Sequence, residues 1–304
     1  MKRIILSMLL AICIYMPAKA CDICGCSASN QFLGVLPGYD YNFIGLQYMS
    51  TNLSSAHPSA YENRPYEHSR EYYNTFQVWG RFNIGKHYQL FAFVPYQYNI
   101  HKQDSANALH SGIGDMSVLI NRILLNKEHK KLQHQLLAGG GIKLPTGSHT
   151  SLSQLDKQGL PNMQPGSGSV DFMVNTNYTL RHKSAGINAD AAYTFTTTSK
   201  DSYKYGNRLN AGAMAFFSFA VKKFAIMPVL GARYEYTLHD YDNYRRKWLN
   251  EQSGGYMLYA TAGIQAYYKK IGARINYQLP LAQHYSSGYV TANYKVESGI
   301  FLLF

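Results

Sequence analysis

The sequence predicts an all-β fold, a closed antiparallel transmembrane β-barrel of about 12 strands, and three observations carry that prediction. The composition is aromatic and poor in charge. Of 304 residues, 14% are aromatic, 27 of them Tyr, and only 15% are charged, against about 25% in an ordinary soluble domain. The chain then reads as runs alternating apolar with polar residues, which is the strand period. Finally, the connections between runs alternate in length, short and basic against long and polar, as in a bacterial outer-membrane barrel with its short inner turns and longer outer loops.

The chain divides into three parts. Met1-Lys2-Arg3 is a positive n-region, Ile4 to Met16 an apolar h-region and Ala18-Lys19-Ala20 a cleavage site, so residues 1–20 read as a signal peptide. Residues 21–42 form a Cys-containing segment, expected in the periplasm or as a plug of the barrel. Residues 43–304 form the barrel. Mean hydropathy is −0.26, and behind the leader no uncharged apolar run reaches the ~18 residues of a spanning helix. The net charge of +12 includes three leader residues, and the remaining excess is moderate and gathered in no single tract.

Twelve candidate strands follow in order: 43–52, 71–84, 88–100, 113–125, 133–145, 168–181, 185–198, 206–220, 224–238, 255–267, 271–281 and 289–303. In the eleventh, Ile271, Ala273, Ile275, Tyr277, Leu279 and Leu281 share one face, and Gly272, Arg274, Asn276 and Gln278 share the other. The first face suits lipid and the second suits a wet lumen, because hydrocarbon offers backbone groups no partner and a spanning sheet must close on itself. Aromatic residues at strand ends, among them Tyr96, Tyr98, Tyr193, Phe195, Tyr234, Tyr236, Tyr267 and Tyr268, are expected as an interfacial girdle. The charges that fall on wet faces are the candidate pore lining: Arg81, Lys143, Asp171, Asp190, Arg233, Glu235, Arg274, Lys295 and Glu297. Strict interleaving of long and short connections puts both ends of the barrel on the short-turn side, read as periplasmic. The chain closes on an amphipathic strand ending at Phe304, which resembles the signal read by outer-membrane assembly machinery.

Three Gly-rich segments carry a family resemblance: Gly112-Ile113-Gly114-Asp115-Met116, Gly139 to Gly147, and Gln164-Pro165-Gly166-Ser167-Gly168-Ser169-Val170-Asp171. In this order and spacing the chain resembles the outer-membrane channel proteins associated with the meta pathway of phenol degradation, which are similar in shape to long-chain fatty-acid channels. The resemblance centres on residues 112–181. It implies a transporter-type barrel and leaves the solute open. For the residues themselves, the plain structural reading is that Asp115 and Asp171 cap turns while Lys143 and Asp171 pair across the lumen.

Chemistry is concentrated in Cys21-Asp22-Ile23-Cys24-Gly25-Cys26. Three thiols at this spacing come within reach of one soft ion, Cu(I) or Zn. The alternatives are a disulfide in an oxidising compartment and lipid on Cys21. Channels of the phenol-associated kind do not as a rule begin with such a cluster, so it points to a subgroup that handles metal or redox chemistry. The eleven histidines fall in connections or at strand edges without ligand spacing. Nucleophile-elbow, phosphate-loop and nucleic-acid motifs do not occur, so neither an enzyme nor a nucleic-acid partner is expected. Two function classes remain. One is a channel or transporter for a small solute or ion in the outer membrane of a Gram-negative bacterium, with membrane lipid and the assembly machinery as its partners. The other is a non-transporting barrel that anchors at the surface or binds partners. A watery lumen favours the first, and a lumen filled by interlocked ion pairs favours the second.

Overall fold

A computed structural model describes residues 41–58, 66–103, 106–149, 161–200, 202–243 and 246–304. The barrel strands are β1 Phe43–Pro58, β2 Tyr66–Ile84, β3 Tyr88–Gln103 and β4, which runs Ala106–Ile113 and resumes as Ser117–His129. They continue with β5 Leu132–Lys143, β6 Asp171–His182, β7 Ala185–Phe195 and β8 Arg208–Phe217, extended by Phe219–Val221. The last four are β9 Phe224–Thr237, β10 Gly255–Tyr268, β11 Ile271–Tyr285 and β12 Val290–Leu303. Every neighbour is antiparallel and next in sequence, and β1 pairs with β12 from Phe43 opposite Leu303 to Ser55 opposite Val290. The sheet therefore has no free edge. Asn42 and Phe304 exchange backbone hydrogen bonds of 3.0 Å at the seam, which sets both ends of the barrel beside the short turns.

The expected phase holds along the strands. On β11, Ile271, Ile275, Tyr277, Leu279 and Leu281 are exposed while Gly272, Arg274, Asn276 and Gln278 are buried in the interior. One residue of the expected girdle is corrected: Tyr267 points inward, its ring 5.6 Å from that of Phe301, and its hydroxyl donates to Gln265. Adjacent strand residues face opposite ways, so Tyr267 and Tyr268 cannot both reach lipid, and Tyr268 is the exposed one.

Several strands run past the limits that polarity sets. β1 continues to Pro58, β2 begins at Tyr66, and the polar stretch between β3 and β4 is mostly an extended hairpin where the sequence predicts a loop. Polar strand ends that project beyond the hydrocarbon lose their alternation and look like loop in sequence. A small three-stranded sheet, Tyr203–Lys204, Tyr241–Asp242 and Lys247–Trp248, stands on the long-loop side. It is organised by the fully buried Asp240, which accepts from the Tyr203 hydroxyl at 2.6 Å and the Gly206 amide at 2.7 Å.

Candidate functional site

The interior is layered. Starting at the short-turn ends of β1 and β12, Phe43, Trp79, Phe91, Phe93, Leu119, Met173, Phe301 and Leu303 pack into one buried cluster. Phe43 meets Trp79 edge-on at 4.6 Å, and Trp79 stacks on Phe93 at 6.0 Å. These are inward-facing apolar residues on strands whose outward faces are also apolar. The inner wall at this end is consequently apolar, contrary to the simple wet-face expectation.

All nine candidate pore-lining charges lie on inward faces, and the structure sorts them into groups. Lys295 Nζ approaches Glu235 Oε2 at 2.5 Å and Oε1 at 2.7 Å, and stands 4.7 Å over the ring of Tyr259. Arg233 lies 4.0 Å from Asp190. Glu297 accepts hydrogen bonds from Gln278 at 3.1 Å and Asn276 at 3.4 Å. The Arg274 guanidinium lies over Trp79 at 4.7 Å. Arg81 acts locally, since its Nε and Nη2 donate to the carbonyl of Tyr41 and fix the chain where it enters β1.

The remaining group contains Lys143 and Asp171 and brings in Asp115. Lys143 Nζ is 2.6 Å from Asp171 Oδ2, 3.2 Å from Asp115 Oδ2 and 2.5 Å from Ser167 Oγ. One lysine cannot neutralise two buried carboxylates, so amides complete the set. Asp115 accepts from the amides of Gly147 at 3.0 Å and Ser167 at 2.9 Å, and Asp171 accepts from the Ser169 hydroxyl at 2.9 Å and the Thr197 amide at 3.2 Å. Gly147 and Gly166 make the approach possible, because a Cβ on Gly166 would lie 2.6 Å from the Gly147 carbonyl carbon. The three Gly-rich segments singled out in the sequence thus meet in one place. There the break in β4 at residues 114–116, the end of β5 and the start of β6 are held together.

The consequence lies in the connection between β5 and β6. Its described part, residues 161–170, is folded inward, and Met163 is fully buried among Leu53, Tyr73, Met257, Tyr259, Tyr285, Val290 and Ala292. Those residues belong to β1, β2 and β10 to β12, the wall opposite β5 and β6. Asn99 Nδ2 donates to the Met163 carbonyl at 3.0 Å. A connection anchored by the Lys143 cluster therefore carries Met163 to the opposite wall of the barrel. Residue alternation could not show this, since Met163 sits in no periodic run; the interruption of alternation at Gly114-Asp115 was the available signal.

Beyond the apolar band, Glu71 is buried between β1 and β3. It accepts from Ser69 at 2.8 Å and Ser55 at 3.0 Å, and His101 Nε2 is 3.8 Å away. Burial pushes its carboxyl up to about 7 and holds His101 below its usual value. Alternation alone marks neither as special. Cys21, Cys24 and Cys26, and with them the expected plug up to residue 40, lie outside the described residues. Among the described residues, no group of three or more His, Cys, Asp or Glu is arranged to hold a metal ion.

No protein-family model matches the sequence, and no curated protein matches it. Solved structures do match in fold. The COG4313 outer-membrane channel from Pseudomonas putida F1 superposes with a TM-score of 0.62 at 12% identity, over 89% of this chain and all of that one. The β domain of the Bordetella autotransporter BrkA superposes with a TM-score of 0.54 at 9% identity, over 87% of this chain and all of that one. At such identities the likeness is one of architecture, and this chain shares with both a closed β-barrel of outer-membrane type.

Proposed function

We propose that the protein is an outer-membrane channel for a small solute whose lumen is closed at rest by its own β5–β6 connection. The observation that carries the reading is Met163, buried against the opposite wall by a segment whose root is held by a buried charge cluster. A permanent wall would be built most cheaply from apolar packing, whereas a buried ion cluster is poor at adding stability and well suited to specifying one arrangement. The polar belt of Asp190, Arg233, Glu235, Lys295 and Glu297 between the two apolar layers supports passage of a hydrated solute once the connection moves. The likeness to the COG4313 channel supports the same reading, as does the resemblance to the phenol-associated channels.

Liposome swelling with small sugars and amino acids tests it. Lys143→Met should leave Asp115 and Asp171 uncompensated and release the connection, and flux should rise severalfold over the native barrel. If flux through a folded Lys143→Met barrel stays at the level of empty liposomes, the channel reading fails. The non-transporting alternative, favoured by the tight Lys295–Glu235 pair, then stands.

The N-terminal thiols extend the proposal. Three sulfur donors suit a soft ion, and Cys21, Cys24 and Cys26 would hold Cu(I) or Zn. Thiolate ligands compete with protons, so affinity should fall as pH falls. Metal titration of the reduced protein from pH 8 to pH 6 checks this, and absence of stoichiometric metal at either pH contradicts it.

A further inference from the structure

The outward face of β2 and β3 changes character along its length. From the short turn it runs through Ile84, Phe82, Val78 and Phe76 on one strand and Tyr88, Val94, Tyr96 and Tyr98 on the other, all exposed. Past Tyr72 it becomes basic: Arg70 on β2 stands directly opposite Lys102 on β3, with His68 one step further along the same face. Like charges directly opposite each other on one face of a sheet repel. Among the described residues no carboxylate relieves them: Lys102 lies 5.4 Å from the ring of Tyr72, and neither cation forms an ion pair there. The same side chains, with Ser54, Ser55, Ser69 and Gln103, line a concave pocket of about 480 Å³.

Height decides what could sit there. Fourteen residues separate Ile84 from Arg70. At about 3.3 Å per residue and a strand tilt of about 40°, Arg70 stands about 35 Å above the inner turns along the membrane normal, beyond an apolar band of about 25 Å and its aromatic girdle. That is the level of lipid headgroups on the long-loop side. A phosphate group carries acceptor oxygens that a guanidinium can bind bidentately while an ammonium takes another as a point charge.

We propose that Arg70 and Lys102, opposed in the pocket above the apolar band, bind a phosphate of lipid A in the outer leaflet. The ligand's acyl chains would lie along the apolar face below. The site rests on the outer-membrane placement proposed above and is independent of whether the lumen conducts. It gives the barrel a fixed lipid contact on the β2–β3 side of its wall, next to the rim that carries Glu71.

The test is native mass spectrometry of the delipidated full-length barrel in detergent, titrated with bisphosphorylated lipid A, with lipid A stripped of both phosphates, and with inorganic phosphate. A single saturable lipid A adduct is expected on the native protein, at least tenfold weaker in Arg70→Gln/Lys102→Gln. It should be unchanged in Lys269→Gln/Lys270→Gln, which removes the same charge from the opposite end of the barrel. The phosphate-free lipid should bind no better to the native protein than to the double variant. Equal lipid A binding by native and double variant overturns the proposal, as does equal binding of the stripped lipid. Inorganic phosphate that displaces the adduct at equimolar concentration overturns the lipid assignment. Arg70 and Lys102 are exposed, so their removal should leave the heat-dependent gel shift of a folded barrel intact; should the double variant fail that check, each single variant is titrated in its place. Because conductance is read separately, loss of the lipid site and failure of the channel reading are distinguishable.

Discussion

The side-chain period of two makes single residues the sharpest probes of this barrel. Ile275 is exposed to lipid and Asn276, its neighbour, is buried beside Glu297. Ile275→Lys should cost about 2–4 kcal/mol of barrel stability, the range for a cation at mid-membrane on the lipid face. Asn276→Lys should cost clearly less, because the new ammonium meets a carboxylate; urea unfolding of both variants in the same bilayer decides it. The short turns offer a second probe, since Lys130 and Lys131 both adopt left-handed backbone, at φ 48° and 69°. Left-handed conformation costs a non-Gly residue about 1–2 kcal/mol, and Asn-Gly is the sequence such a turn favours. Lys130→Asn/Lys131→Gly should stabilise the barrel by about that amount in the same assay. At the long-loop rim, burial in the folded state pushes the Glu71 carboxyl up to about 7, above the ordinary value of 4.5. A raised folded pKa gives stability that is full below the unfolded value and is lost as pH rises through the folded one. Glu71→Gln should therefore leave thermal stability near that of the native protein at pH 4 and raise it at pH 8. An unchanged difference across that range would remove burial of Glu71 as the cause.

At the scale of elements, what the sequence shows depends on which solvent each stretch meets. Strands flanked by lipid and lumen carry a clean alternation, and β11 and β6 are legible residue by residue for that reason. Above the membrane both faces of a strand meet water, the alternation disappears, and the extensions of β1 to β4 look like connections. The Gly-rich segments were legible as architecture and not as a purpose: their glycines and carboxylates are evident, but their convergence on Lys143 requires the barrel to close first. The connection holding Met163 is the least legible element, because its burial comes from the far wall and leaves no mark on its own sequence. Its dependence on backbone contact gives a direct prediction. Gly166→Val places a branched side chain where Gly147 lies 2.6–2.9 Å away, so the connection should be displaced while the strands remain paired. Limited proteolysis should then cut within residues 146–170 in the variant at least tenfold faster than in the native protein, with the heat-dependent gel shift unchanged.

At the scale of the whole molecule, the described residues form a closed wall whose inward side chains fall into three layers: aromatic beside the short turns, charged in the middle and apolar again around Met163. The wall was readable from periodicity, since lipid imposes one rule on every strand. The filling was not, since packing inside a barrel joins residues from opposite strands that no local pattern relates. Arg81, Arg274 and Lys295 illustrate the point: sequence places each on a wet face, whereas the structure commits Arg81 to a backbone carbonyl, Arg274 to an indole and Lys295 to a carboxylate. On the proposed reading, closure by a charge-anchored connection leaves the resting barrel nearly non-conducting and its conductance dependent on Lys143. Removing one partner from a buried ion cluster costs about 3–5 kcal/mol, enough to shift a closed connection to a released one. The decisive measurement is single-channel conductance of the native barrel and of Lys143→Met in planar bilayers. Rare, small openings are expected for the native protein and long openings of several times its conductance for the variant; identical traces from two folded barrels would contradict closure by the β5–β6 connection.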